Sequence, residues 1–81
     1  MNILITGGAS GLGKSITQTL ASSFPDSKIF FTFNSSTAAA GAISKEYSNT
    51  EALKLKFKEE ESVNELAERI AELDIDIYIH N

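Results

Sequence analysis

Four glycines, Gly7, Gly8, Gly11 and Gly13, lie between a short apolar run and a segment that can begin a helix. Glycine has no Cβ and tolerates positive φ angles, so such a turn lets the backbone come close to a ligand. The following helix would present unpaired N–H groups and a partial positive charge at its start. These features together attract a phosphate, so the sequence predicts a nucleotide-binding strand, loop and helix.

The same letters fit two nucleotide motifs. Residues 6–13 read T-G-G-A-S-G-L-G, which has the T-G-x-x-x-G-x-G spacing of a dinucleotide loop. Residues 8–15 read G-A-S-G-L-G-K-S, which is also the literal pattern of a Walker A phosphate loop. In that interpretation Lys14 would reach the β and γ phosphates, and the Ser15 hydroxyl would hold Mg²⁺. The motif alone leaves both interpretations open, and the rest of the chain must separate them.

Hydrophobic periodicity predicts alternating strands and helices. In the first helix an apolar residue recurs at every fourth position from Leu12 to Phe24, which places one stripe against a sheet. Ser62 and Glu65 have capping-box spacing before a stripe that runs from Val63 to Leu73. The predicted strands are 2–6, 28–33, 52–57 and 75–80, and the predicted helices are 12–24, 37–47 and 62–73. Parallel strands need crossover connections, so this order predicts an α/β parallel sheet, with the lysine-bearing third strand at an edge.

Composition limits the classes of function. The 81 residues suffice for one domain, and a net charge of −4 argues against broad binding to nucleic acid or to an anionic membrane. The absence of cysteine excludes disulfides and thiolate metal sites, and a single histidine disfavours a histidine metal site. No apolar run approaches the ~18 residues of a membrane span, and no signal peptide is recognisable. We therefore expect a cytoplasmic protein without a metal site and without a nucleic-acid or membrane partner.

The residue that contacts the adenosine ribose in dinucleotide-binding folds lies about 20 positions beyond the glycine motif. That position is Phe33, and Asn34, Ser35 and Ser36 follow it. An acid there would bind the ribose 2′-hydroxyl and repel a 2′-phosphate. Its absence, together with the polar residues at 34–36 and with Lys14 nearby, predicts NADP as the preferred cofactor, with NAD as the alternative.

Three segments resemble the classical short-chain dehydrogenase/reductase family. Residues 6–13 look like its glycine motif, residues 31–36 (F-T-F-N-S-S) are similar to the second-strand end of its NADP-preferring members, and residues 73–81 look like the lead into its N-N-A-G motif. In the last segment His80 stands at the first Asn and Asn81 at the second. The resemblance implies that residues 1–81 form the amino-terminal part of one NAD(P)-binding Rossmann domain, with strand order 3-2-1-4. It also implies hydride transfer between nicotinamide and an alcohol or carbonyl in the complete enzyme.

The chain departs from the family pattern in two places. Lys56 and Phe57 stand where the family has an Asp-Val pair that helps to hold the adenine. The catalytic Ser and Y-x-x-x-K would lie beyond residue 81, and neither Tyr47 nor Tyr78 is followed by a lysine four residues later. No catalytic residue is therefore assigned, and these 81 residues alone are predicted to be inactive.

The candidate cofactor-binding residues come from the glycine motif, the end of the second strand and the end of the fourth. They are Gly7, Ser10, Gly11, Leu12, Gly13, Phe33, Asn34, Ser35, Ser36 and Asn81. Two alternatives stay open beside the oxidoreductase hypothesis. One is a P-loop NTPase or kinase fragment, and the other is a nucleotide-binding module without catalysis. For such a module, an unpaired edge of the fourth strand would favour self-association.

Overall fold

A computed structural model describes residues 1–56 and 60–81. In this part of the chain, strands and helices alternate throughout. They are β1 (Asn2–Ile5), α1 (Gly11–Ser23), β2 (Lys28–Phe33), α2 (Thr37–Glu46), β3 (Thr50–Lys54), α3 (Glu60–Leu73) and β4 (Ile77–Ile79). All strand pairs are parallel, and the sheet has the order β3-β2-β1-β4. The predicted α/β fold, the strand order and the edge position of β3 are confirmed.

One face of the sheet carries the main core. Ile3 and Ile5 of β1 and Ile29 and Phe31 of β2 pack against α1 and α2, and Phe31 is fully buried. Their i, i+2 spacing follows from the alternation of side chains along a strand. Helices α1 and α2 therefore cover the same face, as two successive right-handed crossovers require.

The packed side of α1 differs from the predicted stripe. Leu12 and Phe24 at the two ends of that stripe are 71% and 52% exposed, whereas Ile16 and Leu20 are partly buried. The buried positions of the helix carry small side chains, and they are Gly13, Thr17 and Ala21. Small residues let α1 lie close to the sheet, so this face, rather than the Leu and Phe row, makes the tightest contact.

In the described residues, the other face is covered by α3, which packs loosely against it. The predicted apolar stripe of α3 does face the sheet, but no residue of this helix is fully buried. A cavity of about 520 Å³ separates the two, and it is lined by Leu4, Thr6, Leu55, Val63, Leu66, Ala67, Ile70, Ile75 and Tyr78. Arg69 of α3 is bonded to Glu51 of β3 at 2.8 Å, which raises the pKa of the guanidinium above its ordinary value. This exposed pair tethers α3 to the edge strand.

Several element boundaries differ from the sequence prediction. Ser62 is not an N-cap, because α3 already includes Glu60, and its hydroxyl instead accepts a hydrogen bond from the Lys56 N–H at 2.9 Å. β3 begins at Thr50, two residues before the predicted start, because the Asn49 carbonyl accepts from Ile29 N–H and brings the strand into register early. The predicted strand residue Phe57 lies outside the described residues. In those residues no helix is long and apolar enough to cross a membrane.

Asn49 closes the end of α1. Its side-chain amide donates hydrogen bonds to the carbonyls of Ala21, Phe24 and Ser27 at 3.0 to 3.2 Å. The last carbonyls of a helix have no partner within the helix, so an amide from the loop before β3 satisfies them. This contact joins α1, the turn before β2 and the start of β3.

Candidate functional site

Residues 6–10 connect β1 to α1 at the carboxyl edge of the sheet. Gly7 and Gly11 have φ angles of +66° and +57°, in the left-handed region that disfavours residues with a Cβ. These two glycines turn the chain at the start of the loop and at the first residue of the helix. The predicted strand, glycine turn and helix is present in the structure.

Gly8 and Gly13 are required for a different reason, which is space. A Cβ at Gly13 would overlap the carbonyl oxygen of Gly7, and a Cβ at Gly8 would lie 2.5 Å from Phe31 Cβ and 2.6 Å from Thr17 Oγ1. Gly8 was not among the predicted cofactor-binding residues. Its role is to let the loop pack directly against β2 and α1, so it is a structural residue of the loop.

The start of α1 forms the open side of the loop. Ser10 occupies the N-cap position with extended backbone, and its hydroxyl makes no capping hydrogen bond within the described structure. The N–H groups of the first helical turn, at Gly11, Leu12 and Gly13, have no acceptor within the helix. Ser10, Gly11 and Leu12 are also exposed to solvent. The predicted loop residues are therefore brought together around a surface of N–H groups that suits an anion.

The end of β2 lies beside the glycine loop. The carbonyl of Thr32 accepts a hydrogen bond from Gly8 N–H at 3.0 Å. Phe33 follows, and its half-buried side chain packs against the core rather than standing free. Asn34 and Ser35 are exposed, and Ser36 is the N-cap of α2. The predicted ribose-contacting residues thus reach the same edge of the sheet as the loop, with Phe33 directed inward.

Asn81 brings the end of β4 to the loop. Its side-chain amide donates to Gly7 carbonyl oxygen at 3.2 Å, and its backbone N–H donates to Thr6 Oγ1 at 3.1 Å. The neighbouring His80 is hydrogen-bonded instead to the Tyr78 hydroxyl, at 3.1 Å. In the present structure Asn81 acts on the loop backbone, so it is placed to hold the loop in shape.

Thr32 is a residue that sequence reasoning missed. Its hydroxyl accepts a hydrogen bond from Gly7 N–H at 2.9 Å, and its side chain is buried. Threonine is common in strands, so the residue type gave no reason to single it out. The available signal was its position just before the end of β2, next to a turn with N–H groups that need acceptors.

The geometry does not support the Walker interpretation. That loop would wrap its free N–H groups around a phosphate up to Lys14 and Ser15. Here α1 already begins at Gly11, and Lys14 N–H donates to the Ser10 carbonyl at 3.2 Å. The Asp76 carboxylate lies at the opposite edge of the sheet, bonded to Asn2 N–H at 2.7 Å. Among the described residues no group of three or more acidic or histidine side chains could hold a metal ion.

Solved structures share this fold. BdcA in complex with NADPH has a TM-score of 0.80 at 22% identity, and covers 99% of this chain with 31% of its own length. A protein described as a short chain dehydrogenase/reductase family protein has a TM-score of 0.80 at 21% identity, with 100% of this chain matched to 33% of that one. The fold is Rossmann-type. The RhlG/NADP active-site complex from Pseudomonas aeruginosa has a TM-score of 0.76 at 27% identity, over 99% of this chain and 33% of that one.

The chain therefore spans about a third of the length of the structures it matches. It has four strands of a Rossmann-type parallel sheet and the glycine loop at the carboxyl end of β1. No protein-family model matches the sequence, and no curated protein matches it either.

Proposed function

We propose that this chain binds NADP(H), or alternatively NAD(H), as the amino-terminal cofactor-binding part of an oxidoreductase of the short-chain dehydrogenase/reductase type. The observation that carries the proposal is the loop between Gly7 and Gly11. Both glycines are in the left-handed region, and the open helix start that follows lies beside the end of β2. A pyrophosphate at the first turn of α1 would place an adenosine ribose near Asn34 to Ser36.

The preference for NADP rests on charge. Residues 33–36 include no acidic side chain that would repel a 2′-phosphate. Asn34, Ser35 and Ser36 instead offer hydrogen-bond donors to such a phosphate. Two of the matched structures are NADP(H) complexes, which is consistent with this preference. Hydride transfer would require catalytic residues that these 81 residues do not contain, so the chain by itself acts as a binding module.

The test is a fluorescence titration of the purified chain with NADPH and NADH, and a calorimetric titration with Mg-ATP. Ser10→Asp is the decisive variant, because aspartate is an equally good N-cap but places a negative charge against the pyrophosphate. Ser48→Asp, in the exposed turn between α2 and β3, adds the same charge at the opposite edge of the sheet.

We expect NADPH to bind more tightly than NADH. Ser10→Asp should weaken NADPH binding at least about tenfold, which corresponds to about 1.4 kcal/mol, whereas Ser48→Asp should change it less than about twofold. A folded chain that binds neither dinucleotide would refute the proposal. Binding of Mg-ATP alone would favour the Walker interpretation over this proposal.

The open edge of β4 supports a second proposal, that the 81-residue chain forms a dimer with a second copy of itself. The Ile79 carbonyl faces β1, where it accepts from Thr6 N–H at 3.1 Å, so strand alternation turns the N–H and C=O of Tyr78 outward. Within the described residues β4 pairs only with β1, and Tyr78 is 55% exposed. Antiparallel pairing of this edge with its copy would be centred on Tyr78.

The oligomeric state in sedimentation velocity tests this second proposal. Tyr78→Lys places a charge at the centre of the paired edge, at a residue that is 55% exposed, and it should convert a dimer into a monomer. Ser48→Lys is the matched control and should remain dimeric. A wild-type chain that stays monomeric at about 100 µM would refute edge pairing.

A further inference from the structure

We propose that Thr32 is the positioning residue of the dinucleotide loop: it occupies the N–H groups of Gly7 and Gly8 and so directs a pyrophosphate to the first turn of α1. This inference rests on the proposed function, because it specifies which part of the loop the cofactor contacts. It assigns a role to a buried strand residue that itself touches no ligand.

Thr32 holds the loop through two of its atoms. The hydroxyl oxygen accepts from Gly7 N–H at 2.9 Å, and the carbonyl oxygen accepts from Gly8 N–H at 3.0 Å. The residue is only 2% exposed, so its two acceptor oxygens are largely shielded from bulk water. The first two glycine N–H groups of the loop are therefore used within the protein.

Gly7 is held by residues from both strands that flank β1. Thr32 of β2 binds its N–H, and the Asn81 side chain, after β4, binds its carbonyl oxygen at 3.2 Å. That carbonyl lies where a Cβ of Gly13 would stand, so Gly7 and the first turn of α1 are in direct contact. The hydrogen bond that Gly7 N–H donates to Thr32 thereby sets the distance between the loop and the helix start.

Further N–H groups lie at the start of α1. Ser10 makes no side-chain capping bond, and the first-turn N–H groups of a helix have no partner within it. With the Gly7 and Gly8 N–H groups occupied, the pyrophosphate is bound by the N–H groups of this first turn. If the Thr32 hydroxyl is removed, the Gly7 N–H loses its acceptor, and the loop can turn this group outward into the site.

Thr32→Val is the test variant, because it replaces the hydroxyl by a methyl group of similar size. Thr32→Ser keeps the hydroxyl, and Thr50→Val removes a buried hydroxyl at the other edge of the sheet, where Thr50 Oγ1 donates to the Tyr47 carbonyl at 2.7 Å. Amide hydrogen exchange at Gly7 and Gly8, followed by NMR on the ¹⁵N-labelled chain, shows directly whether Thr32 holds these N–H groups, a contact called the Thr32 anchor below. Fluorescence titration with NADPH reports the consequence for the ligand.

In the wild type we expect Gly7 N–H to exchange slowly although Gly7 is an exposed residue. Thr32→Val should accelerate that exchange at least about tenfold and weaken NADPH binding by about tenfold, with Gly8 N–H still protected by the backbone carbonyl. Thr32→Ser should restore both values to within about threefold, and Thr50→Val should change neither.

The outcomes separate the anchor from the proposed function. Rapid exchange of Gly7 N–H in the wild type, or unchanged exchange in Thr32→Val, would overturn the anchor whether or not a ligand binds. The wild-type exchange rate tests the Thr32 anchor even if Thr32→Val does not fold. Accelerated exchange with undiminished NADPH affinity would overturn the link to the ligand. A protected Gly7 in a chain that binds no NADPH would refute the proposed function and leave the anchor standing.

Discussion

Replacing Gly13 by alanine should destabilise the chain and remove dinucleotide binding, because the space for a Cβ at this position is taken by the loop. The new Cβ would overlap the Gly7 carbonyl oxygen, and it would lie 2.5 Å from Asn81 Nδ2 and 2.8 Å from the Gly7 carbonyl carbon. Ordinary contact begins at 3.4 Å, so α1 or the loop must move by more than half an ångström. Two of the three atoms belong to backbone and cannot rotate away.

The expected magnitude follows from three effects. Overpacking of this kind costs about 1–3 kcal/mol, and loss of the hydrogen bond between Asn81 and Gly7 costs about 1 kcal/mol more. Alanine recovers up to about 1 kcal/mol as a better helix former than glycine. The net loss is about 1–4 kcal/mol, which lowers the melting temperature of a domain this small by roughly 5–30 °C.

Thermal and urea unfolding followed by far-UV circular dichroism measures this loss, and titration with NADPH on the folded fraction measures binding. Gly41→Ala is the matched control, because Gly41 lies in α2 and nothing stands within 4 Å of the place that its new methyl group would take. That substitution should stabilise the chain by about 0.5–1 kcal/mol. A Gly13→Ala chain that melts within about 3 °C of the wild type and binds NADPH equally well would refute the packing argument.

Substitutions at three further positions, Gly11, Asn49 and Arg69, have expected outcomes in the same unfolding assay. Gly11→Ala meets no atom within 4 Å but keeps a φ of +57°, so it should cost about 1 kcal/mol, and Gly11→Asn should cost less because asparagine tolerates this conformation. Asn49→Ala removes the hydrogen bonds to carbonyls at the end of α1 and in the turn before β2, and it should lower the free energy of unfolding by about 1–3 kcal/mol, unlike Asn64→Ala on exposed α3. Arg69→Gln breaks the exposed pair with Glu51, and its urea midpoint should match that of the wild type in high salt.

Local sequence predicted most of the secondary structure, because its signals act over a few residues. The β-branched and aromatic run 28–33 gave β2 with the bounds it has, and the polar residues 34–36 gave the start of α2 at Thr37. Predictions that depended on distant partners were less accurate. Ser62 has the spacing of a cap, but α3 begins earlier and the hydroxyl binds Lys56 N–H instead.

The glycine motif and the alternation of strands and helices were thus determined by the sequence itself, since φ preferences and hydrophobic periodicity are properties of neighbouring residues. Tertiary structure alone decided what holds the loop. The bond from Gly7 to Thr32 spans 25 residues, and the bond from Asn81 to Gly7 spans 74. Such partners are chosen by strand order and register, because β1 must lie between β2 and β4 before either side chain can reach the loop.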